Sequence, residues 1–176
     1  MNRKELLQYI AGYFFGGSFF LLVIPGVLYS VSVFFSSVFP HHIFENDRIK
    51  VIVSSAFFFP GIFFVGWSNA ALFLIGKGGP AEGFGIEISP KTKVLVTKGP
   101  YRYTRNPMVF GAYMVYIALS FFLNSFASLI LIILLFPVIN IYLKKSEEKR
   151  LLKDFGDEFL EYRESVSRFI PLPPKK

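Results

Sequence analysis

Two short stretches carry side chains suited to chemistry. The first is Lys98 to Gly111, KGPYRYTRNPMVFG, which crowds three basic residues, three aromatics, two prolines and two glycines into fourteen positions. The second is the carboxylate pair Glu147 and Glu148 within SEEKRLL. A helix starting at Pro107 would offer free N–H groups to a carboxylate, and acidic side chains suit an amino group or a sulfonium. Together they describe a polar pocket with both charge signs and aromatic walls. The plainer reading stands beside it: basic residues and tyrosines at a helix end anchor it in lipid headgroups. Glu147 with Arg150 and Lys144 with Glu148 would then be surface pairs worth about a few tenths of a kcal/mol.

The elements that must position these stretches are membrane helices. The 176 residues include 23 phenylalanines and no cysteine, 53% are hydrophobic, and only 18% are charged. The apolar residues come in long unbroken runs, the pattern of transmembrane helices. Tyr9 to Phe39 contains no charge over thirty-one positions. A single span needs about 20 residues, so this run is tilted, or broken at Pro25-Gly26. It is also far longer than the apolar region of a signal peptide. Gly12 and Gly16 form a GxxxG that allows close helix approach. A second run, Val51 to Gly76, contains Pro60-Gly61 and a polar Trp67-Ser68-Asn69 step. Asn69 is expected to satisfy itself against a neighbouring helix or to line a cavity.

The segment 77–107 is the longest polar stretch. Its opening GKGGPAEGFG rules out a regular helix, and without GxxxxGK[ST] it is no nucleotide P-loop. Lys93 to Thr97 reads as briefly extended. Met108 to Leu123 and Phe126 to Leu143 are two further apolar runs joined at Asn124-Ser125, which makes them an antiparallel hairpin. Pro137 inside the second should kink it and free the carbonyl of Ile133. From Lys144 the chain turns soluble in character. Leu151, Leu152, Phe155, Phe159 and Tyr162 share one helical face, and Gly156-Asp157 reads as a stop and restart. This tail should lie on the membrane surface or fold back over the bundle.

The fold class is therefore all-α integral membrane protein, with about four transmembrane helices, five if the first run is broken, and a C-terminal amphipathic helical tail. The N-terminal transmembrane helices occupy 1–76, and loop, hairpin and tail occupy 77–176. Lysines and arginines number seventeen in the head, second loop and tail against two in the first loop. The positive-inside rule puts both termini and the pocket on the cytoplasmic side. That placement explains the net charge of +7 through topology and anionic lipids, so nucleic acid is not expected as a partner. Two adjacent histidines and no cysteine supply no metal site. The hairpin brings Arg102, Arg105, Tyr101 and Tyr103 to face Glu147 and Glu148.

The run GPYRYTRNPMVFG, a helical hairpin, and then EEKRLLKDFGDEFLEYRESVSRFIP resemble the isoprenylcysteine carboxyl methyltransferase and phospholipid methyltransferase superfamily. The likeness covers roughly residues 76–171, including the upstream GKGGP. The family's Arg-His-Pro-x-Tyr-x-Gly element falls on Arg105, Pro107 and Gly111. Its Glu-Glu pair falls on Glu147 and Glu148, and its Phe-Gly-x-Glu on Phe155, Gly156 and Glu158. Two positions depart: the motif His is Asn106, and the motif Tyr is Val109. Asparagine keeps a hydrogen-bonding side chain but cannot serve as a general base.

The resemblance implies an integral membrane enzyme using S-adenosylmethionine as cofactor. Tyr103, Arg105, Asn106, Pro107, Met108, Gly111, Glu147 and Glu148 are the implied cofactor-binding residues, and Arg102, Arg105 and Glu148 the implied catalytic ones. The acceptor would be a lipophilic small molecule or prenylated group entering from the membrane lipids. A carboxylate acceptor needs no base, whereas an amine must first be neutral. No histidine lies near the pocket, so a carboxylate is favoured. The alternatives are N-methylation of a phospholipid headgroup or other amine, and a non-catalytic scaffold of the same fold. Glu148→Gln is expected to abolish transfer and leave the protein folded.

Overall fold

The computed structural model describes residues 3–38, 42–79, 82–83, 86–87, 90 and 92–174. His41 and parts of the glycine-rich loop fall outside the described residues. The all-α expectation holds apart from a minimal antiparallel ladder between β1 (Glu82–Gly83) and β2 (Ile86–Glu87). Lys93 to Thr97 is not a strand; Leu95 and Val96 instead turn inward and are buried.

Three helical rods are long and apolar enough to cross a membrane: Leu6–Phe35, Asp47–Gly76 and Phe126–Ser165. The first two, at 30 residues each, reach about 45 Å at ~1.5 Å per residue, well beyond a hydrocarbon layer of about 30 Å. A fourth apolar helix, α4 (Pro107–Phe122), has 16 residues. The packing is inside-out relative to a water-soluble core. Phe34 is 72% exposed and Leu74 71%, while Ser68, Ser120 and Ser128 are fully buried. Large apolar side chains turned outward and small residues turned inward are how helices associate in lipid, where close backbone approach replaces hydrophobic drive.

The first rod is continuous. Helices α1 (Arg3–Ser18) and α2 (Ile24–Phe35) join through one π turn, Phe19–Val23, and the backbone stays right-handed helical on both sides. In that turn Ile24 donates to the carbonyl of Phe19. Pro25 has no N–H for the next carbonyl in the same register, that of Phe20. The Tyr116 hydroxyl of α4 supplies the missing donor at 3.2 Å. Further along, Ser128 Oγ donates to the carbonyl of Leu28 at 2.8 Å. The carbonyl that Pro25 frees at membrane depth is thus taken up by a neighbouring helix. Of the GxxxG pair, Gly12 is buried and Gly16 exposed.

The tightest crossing lies elsewhere, between α3 (Asp47–Ala71) and α4. A Cβ on Gly111 would stand 2.6 Å from the Gly61 carbonyl oxygen, and one on Gly61 would stand 2.9 Å from that of Gly111. Both positions can only be glycine at this separation. Asn69 on α3 satisfies half of itself within its own helix, donating to the carbonyl of Val65 at 2.9 Å, and its Oδ1 is buried without a hydrogen bond among the described residues.

The hairpin expected between the last two apolar runs is present. Asn124 takes a left-handed φ of 55°, and its side chain clamps the backbone N–H and carbonyl of Phe44 at 2.8 Å each. Ser125 caps α5 (Phe126–Tyr142). Beyond Tyr142 the helix does not stop where the charges begin. It passes through a π turn, Leu143–Glu147, into α6 (Glu148–Ser165), because no glycine or proline interrupts it before Gly156. There the backbone breaks, with φ 52° and ψ −125°, as the Gly-Asp pair foretells. Phe159, Tyr162 and Val166 then pack with Leu95 into a small core, so the tail folds onto the 92–106 segment.

Gly111→Ala should lower the unfolding stability of the purified protein by about 1–3 kcal/mol through overpacking. Gly66→Ala, whose Cβ meets nothing within 4 Å, should be neutral. Thermal unfolding of the two variants in one detergent checks the contrast.

Candidate functional site

Four segments converge at one end of the bundle: the Pro100–Asn106 loop, the first turn of α4, the α5–α6 junction, and the chain after Ser165. Gly99 sets the entry, with φ 65° and its Cα side close against the Trp67 indole. Pro100 opens a single 3-10 turn, Gly99–Arg102, and Pro107 opens α4, the helix position where a missing N–H costs nothing. Between them the backbone is tied to the tail as a short pairing. Arg105 N donates to Ser167 O at 2.8 Å and Leu172 N to Tyr103 O at 2.9 Å. Thr104 Oγ1 and Asn106 Nδ2 both donate to Arg168 O, at 2.9 and 3.1 Å. The Tyr162 hydroxyl donates to Tyr101 O at 2.7 Å.

These ties bring two guanidinium groups onto one carboxylate. Arg105 Nη1 and Arg168 Nε each donate to Glu148 Oε1 at 2.8 Å, and Arg168 Nη2 reaches Oε2 at 3.3 Å. Arg168 Nη1 also donates to Asn140 Oδ1 of α5 at 3.0 Å. The Arg105 and Glu148 side chains are only 10% and 11% exposed, Arg168 27%. Charge-assisted bonds of this kind are the strong ones, and the cluster keeps one positive charge in excess. Burial pulls the Arg105 guanidinium below its usual value while Glu148 pulls it back up, with the neighbouring Arg168 lowering it. Arg105 Nε is buried and bonds nothing among the described residues. On the adjoining face Tyr101 is held neutral well above the ordinary phenol range, by burial first and then by the charge of Glu147.

The sequence-predicted residues divide. Arg105 and Glu148 meet directly, and Tyr101 lies within electrostatic reach of Glu147. Asn106 and Pro107 are buried beside them, and Met108 is half-buried in the first turn of α4. Arg102 is exposed, and Tyr103 turns toward Trp67, with ring centroids 6.4 Å apart. Gly111 stands one turn deeper, against α3. Of the plain surface pairs, the one expected for Glu148 is superseded, since Glu148 takes arginines from other segments. Arg168 and Asn140 were missed. Asn140 carried a signal, being a polar side chain inside the apolar run VINIYL, where polar groups mark sites. Arg168 carried little beyond its place at the foot of the amphipathic helix.

The family model for phospholipid methyltransferases matches residues 49–158. The chain therefore belongs to the phospholipid methyltransferase family, and three of its helices are long and apolar enough to cross a membrane. Among curated proteins it is similar to the protein-S-isoprenylcysteine O-methyltransferase of Schizosaccharomyces pombe, at 33% identity over 84 residues. That match takes in 48% of this chain and 36% of the relative, so the chain spans well under two thirds of the protein it resembles.

Because Glu148 is the shared carboxylate of two partly buried cations, Glu148→Gln should cost stability by about 3 kcal/mol. Arg168→Gln should cost less, since Arg105 still answers the carboxylate. Chemical unfolding of both variants and of the double variant checks this, and additive losses would mean the pair does not interact.

Proposed function

We propose that the chain is a membrane-embedded methyltransferase that moves a methyl group from S-adenosylmethionine to a lipophilic carboxylate. The observation that carries this is the Arg105–Glu148–Arg168 cluster beside the start of α4, in a chain of this family. The residues fit the cofactor in charge and in hydrogen bonding. Arg105, with its buried unbonded Nε, and the N–H groups of the first turn at Met108 suit a methionyl carboxylate. Glu147, beside Tyr101, suits an amino group or ribose hydroxyls. Bound there, the cofactor supplies an activated methyl group on a sulfonium.

The chain's own part is to bind, align and exclude water. Glu148 fixes both guanidinium groups in place, and Asn106 and Thr104 hold the Arg168 backbone so that the cluster keeps its shape. Asn106 thereby fills the motif histidine's position with a structural hydrogen bond and no proton-accepting role. The sequence holds only His41 and His42, both expected at the far side, so an acceptor that arrives already ionised is favoured. In this reading α4 is the third of four spans, and both termini and the cluster face the cytoplasm, where 77–176 forms the methyltransferase region. The acceptor's tail enters from the lipid, and prenylated cysteine is the class suggested by the yeast relative's name.

N-methylation of a phospholipid headgroup is the second reading, favoured by the description of the matching family. The two separate by product. Purified protein is given methyl-labelled S-adenosylmethionine with membrane lipid extract or a prenylated cysteine, and extracted product is treated with base. Label released as volatile methanol is the expected result and identifies a methyl ester. Label retained in the lipid means amine chemistry, and no transfer with no cofactor binding means a scaffold.

A further inference from the structure

Tyr113 of α4 has a hydroxyl that is buried and makes no hydrogen bond among the described residues. Two other tyrosines of the bundle differ. Tyr116 donates to Phe20 O and Tyr162 to Tyr101 O. An orphaned buried hydroxyl in a folded protein calls for a partner, and packing gives no reason for oxygen here, because phenylalanine would fill the same space. The ring of Tyr113 meets Phe136 of α5 edge-on, with centroids 5.4 Å apart, and Phe136 meets Phe169 at 5.0 Å. Phe169 directly follows Arg168. An aromatic column therefore runs from the ion cluster to this hydroxyl. Tyr113 lies six residues beyond Pro107, roughly 9 Å into the helix, on the membrane side of the charges. Val109, one turn nearer the helix start on the same face, carries no polar atom, so Tyr113 is the first hydroxyl met on that face.

We propose that the Tyr113 hydroxyl donates a hydrogen bond to the carboxylate of the lipophilic acceptor and sets its orientation toward the cofactor. The inference rests on the methyl-transfer reading above. The charged groups of the cofactor are matched by the cluster at the bundle's mouth, whereas an acceptor held by its tail among apolar helices brings its polar end up from below, to this depth. Tyr113 donates to one carboxylate oxygen and leaves the other to attack. As that oxygen bonds the methyl carbon, the carbon–sulfur bond breaks with its electron pair going to sulfur. No proton moves, so a neutral phenol is the form required.

The test compares wild type with Tyr113→Phe, using N-acetyl-S-farnesylcysteine as the probe acceptor. Three readouts are taken: ligand-free thermal stability, S-adenosylmethionine affinity, and KM and kcat for the acceptor. Loss of an unpaired hydroxyl should leave the ligand-free Tm unchanged or raised. Cofactor affinity should be unchanged, and KM for the acceptor should rise about tenfold, the worth of one hydrogen bond to a charged group. A lowered ligand-free Tm would make the residue structural and overturn the proposal. Weakened cofactor binding would assign the hydroxyl to the cofactor instead, and an unchanged KM would deny any contact. If wild type turns over none of this probe, the carboxyl-methylation reading fails by itself. Thermal stabilisation by the farnesylated cysteine then decides: greater in wild type than in Tyr113→Phe supports the contact, and equal or absent in both overturns it.

Discussion

The carboxylate of Glu148 holds two arginines that are sixty-three positions apart in the chain, and the end of the bundle depends on that contact. Arg105 belongs to the loop that starts α4, Glu148 to the rod that continues α5, and Arg168 to the chain returning from α6. Three segments from different parts of the chain are joined through one charge. Away from bulk water such a carboxylate is stable only with its partners, and the partners only with it. Backbone bonds between 103–106 and 167–172 share the work, since they present the Arg168 side chain to the site.

The cluster sits where helix packing can hold it. The Gly61–Gly111 crossing brings α3 and α4 to near backbone contact, which fixes the height of the α4 start relative to Trp67 and the loop over it. Ser128 on α5 and Tyr116 on α4 bind carbonyls of the first rod, so the hairpin cannot slide along it. The π turn at Leu143–Glu147 falls immediately before Glu148. Such turns occur often at functional sites. Here the extra residue in the turn changes which side of the rod the two glutamates occupy, with Glu148 toward the arginines and Glu147 toward Tyr101.

Much of this was legible beforehand. Apolar runs without charge announce membrane helices, Asn124-Ser125 announces the hairpin, and Gly156-Asp157 announces the break in the tail. The meeting of Arg105 with Glu148 follows from the hairpin, because helices of matched length return their ends to the same side. What was not legible has physical reasons. Pro25 would break the first rod only if the freed Phe20 carbonyl had no other donor, and its donor, Tyr116, lies ninety-one positions beyond that proline. Gly111 reads as part of a binding motif, yet nothing local in either helix reveals that Gly61 is its neighbour. Arg168 reaches the site through the tail's return, which is set by the Phe159–Tyr162–Leu95 core and by no pattern near Arg168 itself.

The central claim is that the cofactor is held where the Arg105 loop, the α4 start and the Glu147–Glu148 junction meet. The most direct measurement is ultraviolet crosslinking of labelled S-adenosylmethionine to the purified protein, followed by peptide mapping. The expected result is saturable label, competed by unlabelled cofactor, in the peptides spanning 98–111 and 144–150. Label confined to 3–76, or no saturable label at all, would contradict it.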